Sequence, residues 1–150
     1  MDDKALKFIE ESGSAAMITL RKDGTPVAVR VGVAVVDGKI WSSGTKTRVR
    51  TKHLRRDPRS TLFVFESGAA GAAFRYLSLE TTVKILDGPD APQLSVKLFE
   101  AMQARLPSRP PEGKLMWFGQ ALSVEDFLAK MVEEQRLIYE FEVKRAYGMY

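Results

Sequence analysis

PVAVRVGVAVV, residues Pro26 to Val36, is the cleanest period-two stretch in the chain. Val27, Val29, Val31, Val33 and Val35 point one way; Ala28, Arg30, Gly32 and Ala34 point the other. That alternation is the mark of a strand with one buried face. Turns bracket it. Lys22-Asp23-Gly24-Thr25 precedes it and Asp37-Gly38 follows it, each with a glycine where a hairpin needs positive φ. Ser14 to Arg21 therefore reads as the preceding strand and Lys39 to Ser43 as the following one.

Working outward, Ala5, Leu6, Phe8 and Ile9 give a short opening helix, Asp3 to Glu11, one apolar stripe. Thr61 to Glu66 and Phe74 to Asp87 read as further strands. Gly88-Pro89 breaks the second of these. Pro92 to Leu106 reads as a helix, and Pro107 to Gly113 as a proline-rich loop. Ser123, with Asp126 three residues on, is an N-cap for a helix running to Gln135. Leu137, Tyr139, Phe141 and Val143 alternate in a last strand. The expected fold is mainly β with flanking helices, in a single domain over residues 1–150. Many strands with short turns in one small domain imply a closed or half-closed barrel.

Between Lys39–Ser43 and Thr61–Glu66 lies the basic connection. From Thr45 to Arg59 it holds seven cations, Lys46, Arg48, Arg50, Lys52, Arg55, Arg56 and Arg59, against the single acid Asp57. The spacing predicts a helix from Lys46 to Asp57, ended by Asp57-Pro58. The rest of the chain keeps 16 of the 23 bases and 18 of the 19 acids, so the basic character is local. A local cluster suggests one discrete anionic ligand rather than a general polyanion coat.

Several function classes are excluded or poorly supplied. There is no cysteine, hence no disulfide, thiolate nucleophile or cysteine-held metal. His53 is the one histidine, too few for a histidine zinc site. No apolar run approaches the roughly 18 residues of a membrane span. MDDKALKFIEES carries charge throughout, unlike a signal peptide, so the expected location is the cytoplasm. Ser42-Ser43-Gly44-Thr45-Lys46-Thr47 is no Walker loop, and Ser67-Gly68-Ala69-Ala70-Gly71 has no dinucleotide-binding spacing. No carboxylate pair invites hydrolysis. An enzyme on this chain has to borrow its chemistry from a cofactor.

WSSGT followed by a basic turn and LRRDPRSTLFVF resembles the pyridoxamine-phosphate-oxidase-like flavin-binding split-barrel family. Within it, the chain looks like the actinobacterial branch that uses the deazaflavin coenzyme F420. SAAMITLRKDGTPVAVRV is similar to the family's opening hairpin, RYLSLETTVKIL to its strand with an aromatic before a hydroxyl and a branched residue, and RLIYEFEVKRAYGMY to its closing strand. The resemblance implies a six-stranded antiparallel split β-barrel and a homodimer with cofactor sites at the interface. It also implies a reductase passing a hydride from coenzyme F420, or alternatively FMN, to a planar conjugated small molecule.

The resemblance places phosphate contacts at Lys46, Arg48, Arg50, Thr51 and Lys52, with Arg50 the best match. It places ring contacts at Ser42 and Ser43, at Arg30 and Val31 on the preceding strand, and at Tyr76 and Ser78 below. One terminal phosphate needs about two or three cations. The denser cluster here favours a deazaflavin with charge along a longer tail. For dimer contacts the sequence offers the valine-rich strand and the Tyr/Phe-rich strand. Arg55, Arg56 and Arg59 read as a solvated helix end, His53 as a structural histidine and Trp41 as core or interface. Trp117 and Phe118 read as a lid or as dimer packing. A non-catalytic cofactor carrier is the rival reading. So is a nucleic-acid-binding domain, though no aromatic lies among the cations between Thr45 and Arg59. No proton donor is evident beyond Tyr76 or solvent.

Overall fold

The computed structural model describes residues 1–66 and 74–150. The glycine-rich run Ser67–Gly71 lies outside the described residues. The elements are α1 (Asp3–Ser12), β1 (Ser14–Leu20), β2 (Pro26–Gly32), β3 (Ala34–Val36) and β4 (Lys39–Thr45). Then come α2 (Val49–Arg56), β5 (Arg59–Phe65), β6 (Tyr76–Leu86) and α3 (Ala91–Gln103). The chain continues through β7 (Lys114–Trp117), β8 (Gln120–Ser123), α4 (Val124–Glu133) and β9 (Arg136–Met149).

The main sheet is antiparallel and has seven strands, in the order β2-β1-β5-β6-β9-β4-β3, rather than the six expected. The extra strand comes from the valine run, which divides at Val33. Its first half pairs with β1, from Leu20 opposite Pro26 to Ser14 opposite Gly32. Its second half pairs with β4, Ala34 opposite Trp41. The two halves are consecutive in the chain yet lie at opposite edges of the sheet. The sheet must therefore curl until its edges adjoin, which makes the half-barrel. Ser42 Oγ bridges this seam, donating to the Gly32 carbonyl at 2.6 Å, and beside it Val33 N–H donates to the Gly13 carbonyl at 3.1 Å, extending the β1–β2 ladder by one residue.

Alternation survives the break. Val31, Val33 and Val35 face the barrel core beside Leu62, Leu79 and Tyr139. Ala34 and Val36 face outward but are buried as well, because α3 covers that side with Leu98 against Trp41 and Ile138. The core valines are turned inward, so they supply no outer apolar surface. The exposed apolar face lies elsewhere, on β5, β6 and the end of β9. Phe63 stacks on Phe65 at 5.5 Å and meets Tyr76 at 5.6 Å, while Phe65, Tyr147 and Met149 remain 52%, 47% and 60% exposed.

Other elements differ from expectation in extent. The basic helix starts at Val49, not Lys46: the Lys46 N–H still bonds across to the Gln135 carbonyl at 3.0 Å, and Arg48 is extended, with φ −62° and ψ 142°. β9 runs well past Val143, because it pairs with β4 through its first half and with β6 through almost all its length. The β7–β8 hairpin is additional. Its turn, Phe118-Gly119, has φ of 46° and 80°, and its base is gripped by Gln103, whose amide bonds both N–H and C=O of Met116 at 2.9 Å. The expected cap is present: Ser123 Oγ accepts from Asp126 N–H at 3.1 Å. Ser123→Ala is expected to cost about 1 kcal/mol, read as a lower urea midpoint at unchanged slope.

Candidate functional site

α2 closes one end of the barrel. Its buried side carries Thr51, His53 and Leu54. Thr51 Oγ1 donates to the Thr45 carbonyl at 2.7 Å and in turn accepts from the Tyr139 hydroxyl. His53 Nδ1 and Thr19 Oγ1 are 2.9 Å apart, and the Arg56 guanidinium donates to the Leu20 carbonyl. Tyr139 reaches Thr51 only because Gly44 has no side chain: a Cβ built there would collide with the Tyr139 ring.

The seven cations fall into two groups. Those at the C-terminal end are spent on their own chain. Arg55 meets Asp87 at 2.8 Å, Arg56 takes Leu20, and Arg59 meets Asp57 at 2.8 Å. Hydrogen bonds from Arg59 hold the Asp57 carboxyl down at about 2. At the N-terminal end, Lys46, Arg48 and Lys52 are exposed and form no ion pair among the described residues.

Arg50 lies between these groups in character. It is half-buried, its Nη2 donates to the Ser43 carbonyl at 3.4 Å, and its guanidinium carbon sits 5.7 Å from the Tyr139 ring centroid. Burial, and then neighbouring Arg48, pull its pKa below the ordinary arginine value, partly opposed by Tyr139.

Among the described residues, two buried side-chain polar atoms lack a hydrogen-bond partner: Arg50 Nε and Ser43 Oγ. They belong to neighbouring residues. Such groups cost about 1–3 kcal/mol each when left unpaired. The helix beside them is equally incomplete. Its N-cap is Arg48, with no side-chain cap and no acid in the first turn. Cations therefore surround the positive end of the helix dipole, the arrangement that helix electrostatics disfavour. An oxyanion at the helix start would accept from its first N–H groups and offset the surrounding cations.

The remaining residues singled out from sequence divide as follows. Ser42 is buried and its hydroxyl is spent on the seam, so it positions β4 against β2. Thr51 is wholly buried and locks α2. Val31 is buried in the core and offers only its backbone outward. Arg30 is exposed on β2, two residues before Gly32, and so stands beside the same seam. Tyr76 and Ser78 lie on β6 opposite Met149 and Tyr147 of β9, whereas Ser43 lies opposite Ile138 of the same strand, so the ladder sets them far from the Arg50–Ser43 site. His53 and Trp41 are structural, Trp41 Nε1 donating to Glu140 at 3.0 Å.

Sequence reading missed Gly44, Tyr139 and Arg136. Arg136 pairs with Thr45 across the ladder, lies 5.0 Å over the Trp117 ring and meets Glu134 at 2.7 Å. Glycine inside the strand WSSGT was the one available signal, since it marks a close approach. No group of three metal-ligating side chains occurs among the described residues, and no described helix is long and apolar enough to cross a membrane.

A sequence profile of the family described as pyridoxamine 5′-phosphate oxidase matches residues 1–147. No curated protein sequence matches. Among solved structures, a conserved hypothetical protein from Mycobacterium tuberculosis is 19% identical with a TM-score of 0.77, covering 99% of this chain and 84% of that one. An F420 reductase is 17% identical with a TM-score of 0.62, covering 94% of each chain. The heme storage protein of Vibrio cholerae is 12% identical with a TM-score of 0.67, covering 99% of this chain and 94% of its own. At these identities the likeness is one of fold.

Proposed function

Because the chain belongs to the pyridoxamine 5′-phosphate oxidase family, we propose that it is an oxidoreductase whose cofactor is anchored by phosphate at Arg50. Coenzyme F420 is the first choice and FMN the alternative. The observation that carries this reading is the adjacent pair of unpartnered buried atoms, Arg50 Nε and Ser43 Oγ, at an uncapped, cation-ringed helix start. Four cations, Lys46, Arg48, Arg50 and Lys52, remain available there. That exceeds the about two or three that a single phosphate engages, which favours the longer anionic tail of the deazaflavin.

When bound, such a cofactor supplies the two-electron hydride chemistry that none of these side chains can supply. The chain's own residues do the rest. Arg50 and the helix N–H groups would hold the phosphate, with Lys46, Arg48 and Lys52 supplying further cations for an anionic tail and Ser43 a free hydroxyl. Ser42, Thr51 and Tyr139 hold those groups in place before binding, so little ordering is left to be done on association. The acceptor is a planar conjugated molecule. A nucleic-acid role is less well supported, because Arg55, Arg56 and Arg59 are committed to Asp87, Leu20 and Asp57.

Fluorescence titration with coenzyme F420 and with FMN tests the reading, with a single-stranded oligonucleotide as competitor. Saturable deazaflavin binding that the oligonucleotide does not displace is the expected result. No binding of either cofactor overturns it, and full displacement at low micromolar oligonucleotide makes the basic stretch a nucleic-acid grip. A hydride-transfer assay on the loaded protein then separates an enzyme from a carrier.

The same reading proposes a homodimer through the exposed face of Phe65, Tyr76, Tyr147 and Met149, which no described helix covers. Sedimentation is expected to give twice the 16.8 kDa chain mass at micromolar concentration, and Phe65→Glu is expected to give monomer. A monomeric parent protein rules this interface out.

A further inference from the structure

Beside the seam lies a cleft of about 840 Å³, between the last turn of α1 and the end of α3. That volume is within the roughly 300–1,000 Å³ of small-molecule sites. Resting on the cofactor reading above, we infer that this cleft is the acceptor pocket, and that its ligand is a flat, largely apolar molecule bearing one anionic group.

Position comes first. Val33 and Ala34, where the strand crosses the seam, form the floor. The neighbouring Gly32 carbonyl receives the Ser42 hydroxyl, and Ser43, with its free Oγ, is the next residue. The floor strand β3 pairs with β4, Ala34 opposite Trp41, and Ser43 lies two residues along β4, so the cleft floor and the Arg50–Ser43 site share adjoining strands.

Lining chemistry supplies the ligand class. Ala34, Ala101, Met102 and Leu106 make an apolar surface. Met102 leans over Gly32 so closely that a Cβ there would meet its methyl. The Val33 N–H is already satisfied by the Gly13 carbonyl. The charged lining is Glu10, Glu11, Arg30 and Arg105. Glu10 is spent on Arg105 at 2.5 Å and Glu11 on Lys7 at 3.7 Å. Arg30 forms no ion pair among the described residues. One unspent cation at the edge of an apolar floor selects an anionic group at one end of a flat ligand.

The mouth has a clasp. The Glu10–Arg105 pair spans from α1 to the segment after α3, with side chains 31% and 46% exposed.

The test uses 2-naphthoate, with 2-naphthylmethylammonium as the cationic counterpart, on protein without cofactor. A failure of the cofactor reading therefore leaves the result readable. Amide NMR is expected to show saturable naphthoate binding with shifts at Gly13, Val33, Ala34 and Met102. The cationic probe is expected to bind at least tenfold more weakly. Arg30→Gln, at an exposed position that does not threaten folding, is expected to weaken naphthoate about tenfold, and Ala101→Phe to abolish binding by filling the cleft. Shifts confined to the outer sheet face, equal affinity for both probes, or unchanged affinity in Arg30→Gln each overturn the proposal. Deazaflavin titration of Arg30→Gln in parallel separates the two readings: loss of naphthoate with deazaflavin retained places Arg30 in the acceptor pocket alone.

Discussion

Arg50→Ala is expected to weaken deazaflavin binding ten- to a hundredfold. The substitution removes a charge-assisted, partly buried contact, worth about 1.5–3 kcal/mol. Stability is expected to move the other way or not at all. In the free protein Arg50 is half-buried, Nε has no partner, and burial already depresses its pKa. Its removal takes away an unsatisfied charge, so the melting temperature should hold or rise. A residue kept for packing would show the opposite pattern. Arg50→Lys keeps the charge and loses the Nε donor, so its affinity is expected to lie between alanine and the parent. Parallel fluorescence titration and thermal melts measure both quantities. Unchanged affinity in the alanine variant, with the fold intact, would mean that the phosphate lies elsewhere.

Gly44→Ala is expected to destabilise the protein by about 2–3 kcal/mol, which for a chain of this size lowers the melting temperature by roughly 5–10 °C. The new methyl would collide with Tyr139, one of the largest fully buried side chains. That ring cannot swing aside freely: its hydroxyl is tied to Thr51, and Leu62, Leu79 and Leu137 share its core. Displacing it loosens α2, so cofactor affinity should fall with stability. Pairing Gly44→Ala with Tyr139→Leu provides the check. If the collision is the cause, the double variant is more stable than the sum of the two single effects by at least about 1 kcal/mol. Strict additivity would place the damage in the β4 backbone instead.

The alternation of the valine run was legible because a half-buried strand leaves a period of two whatever it pairs with. For the same reason, its division at Val33 was not legible. Both halves carry the same pattern, and only their partners, β1 and β4, distinguish them. Strand identity here is a property of pairing. The basic stretch was legible as charge, but its sorting was not. Arg55 depends on Asp87, which is distant in sequence, and Arg56 on a backbone carbonyl that no side-chain pattern announces. Arg59 with Asp57 is the local exception. The β7–β8 hairpin hid because its strands are short and poor in β-branched residues, and because its turn puts Phe118 where Asn or Asp is usual. Asp37-Gly38, with nearly the same φ values of 50° and 77°, shows the ordinary form of that turn and was found.

The place of β9 has a consequence for biosynthesis. Among the described residues, β4 pairs only with β3 and β9, and β6 only with β5 and β9. Until residues 136–149 have left the ribosome, the strand carrying Ser42 and Ser43 has no ladder to the body of the sheet. Pairings such as Ile40 with Phe141 join distant parts of the chain, and such long closures are slow. Nascent chains halted before Arg136 should therefore hold a formed β1–β2 hairpin yet fail to retain cofactor. They would also present two open strand edges, on β4 and β6, to one another. Crowded translation of this chain is then a race between threading β9 home and cross-pairing with a neighbour, and a cofactor bound only at the finished seam would reward the winners by mass action.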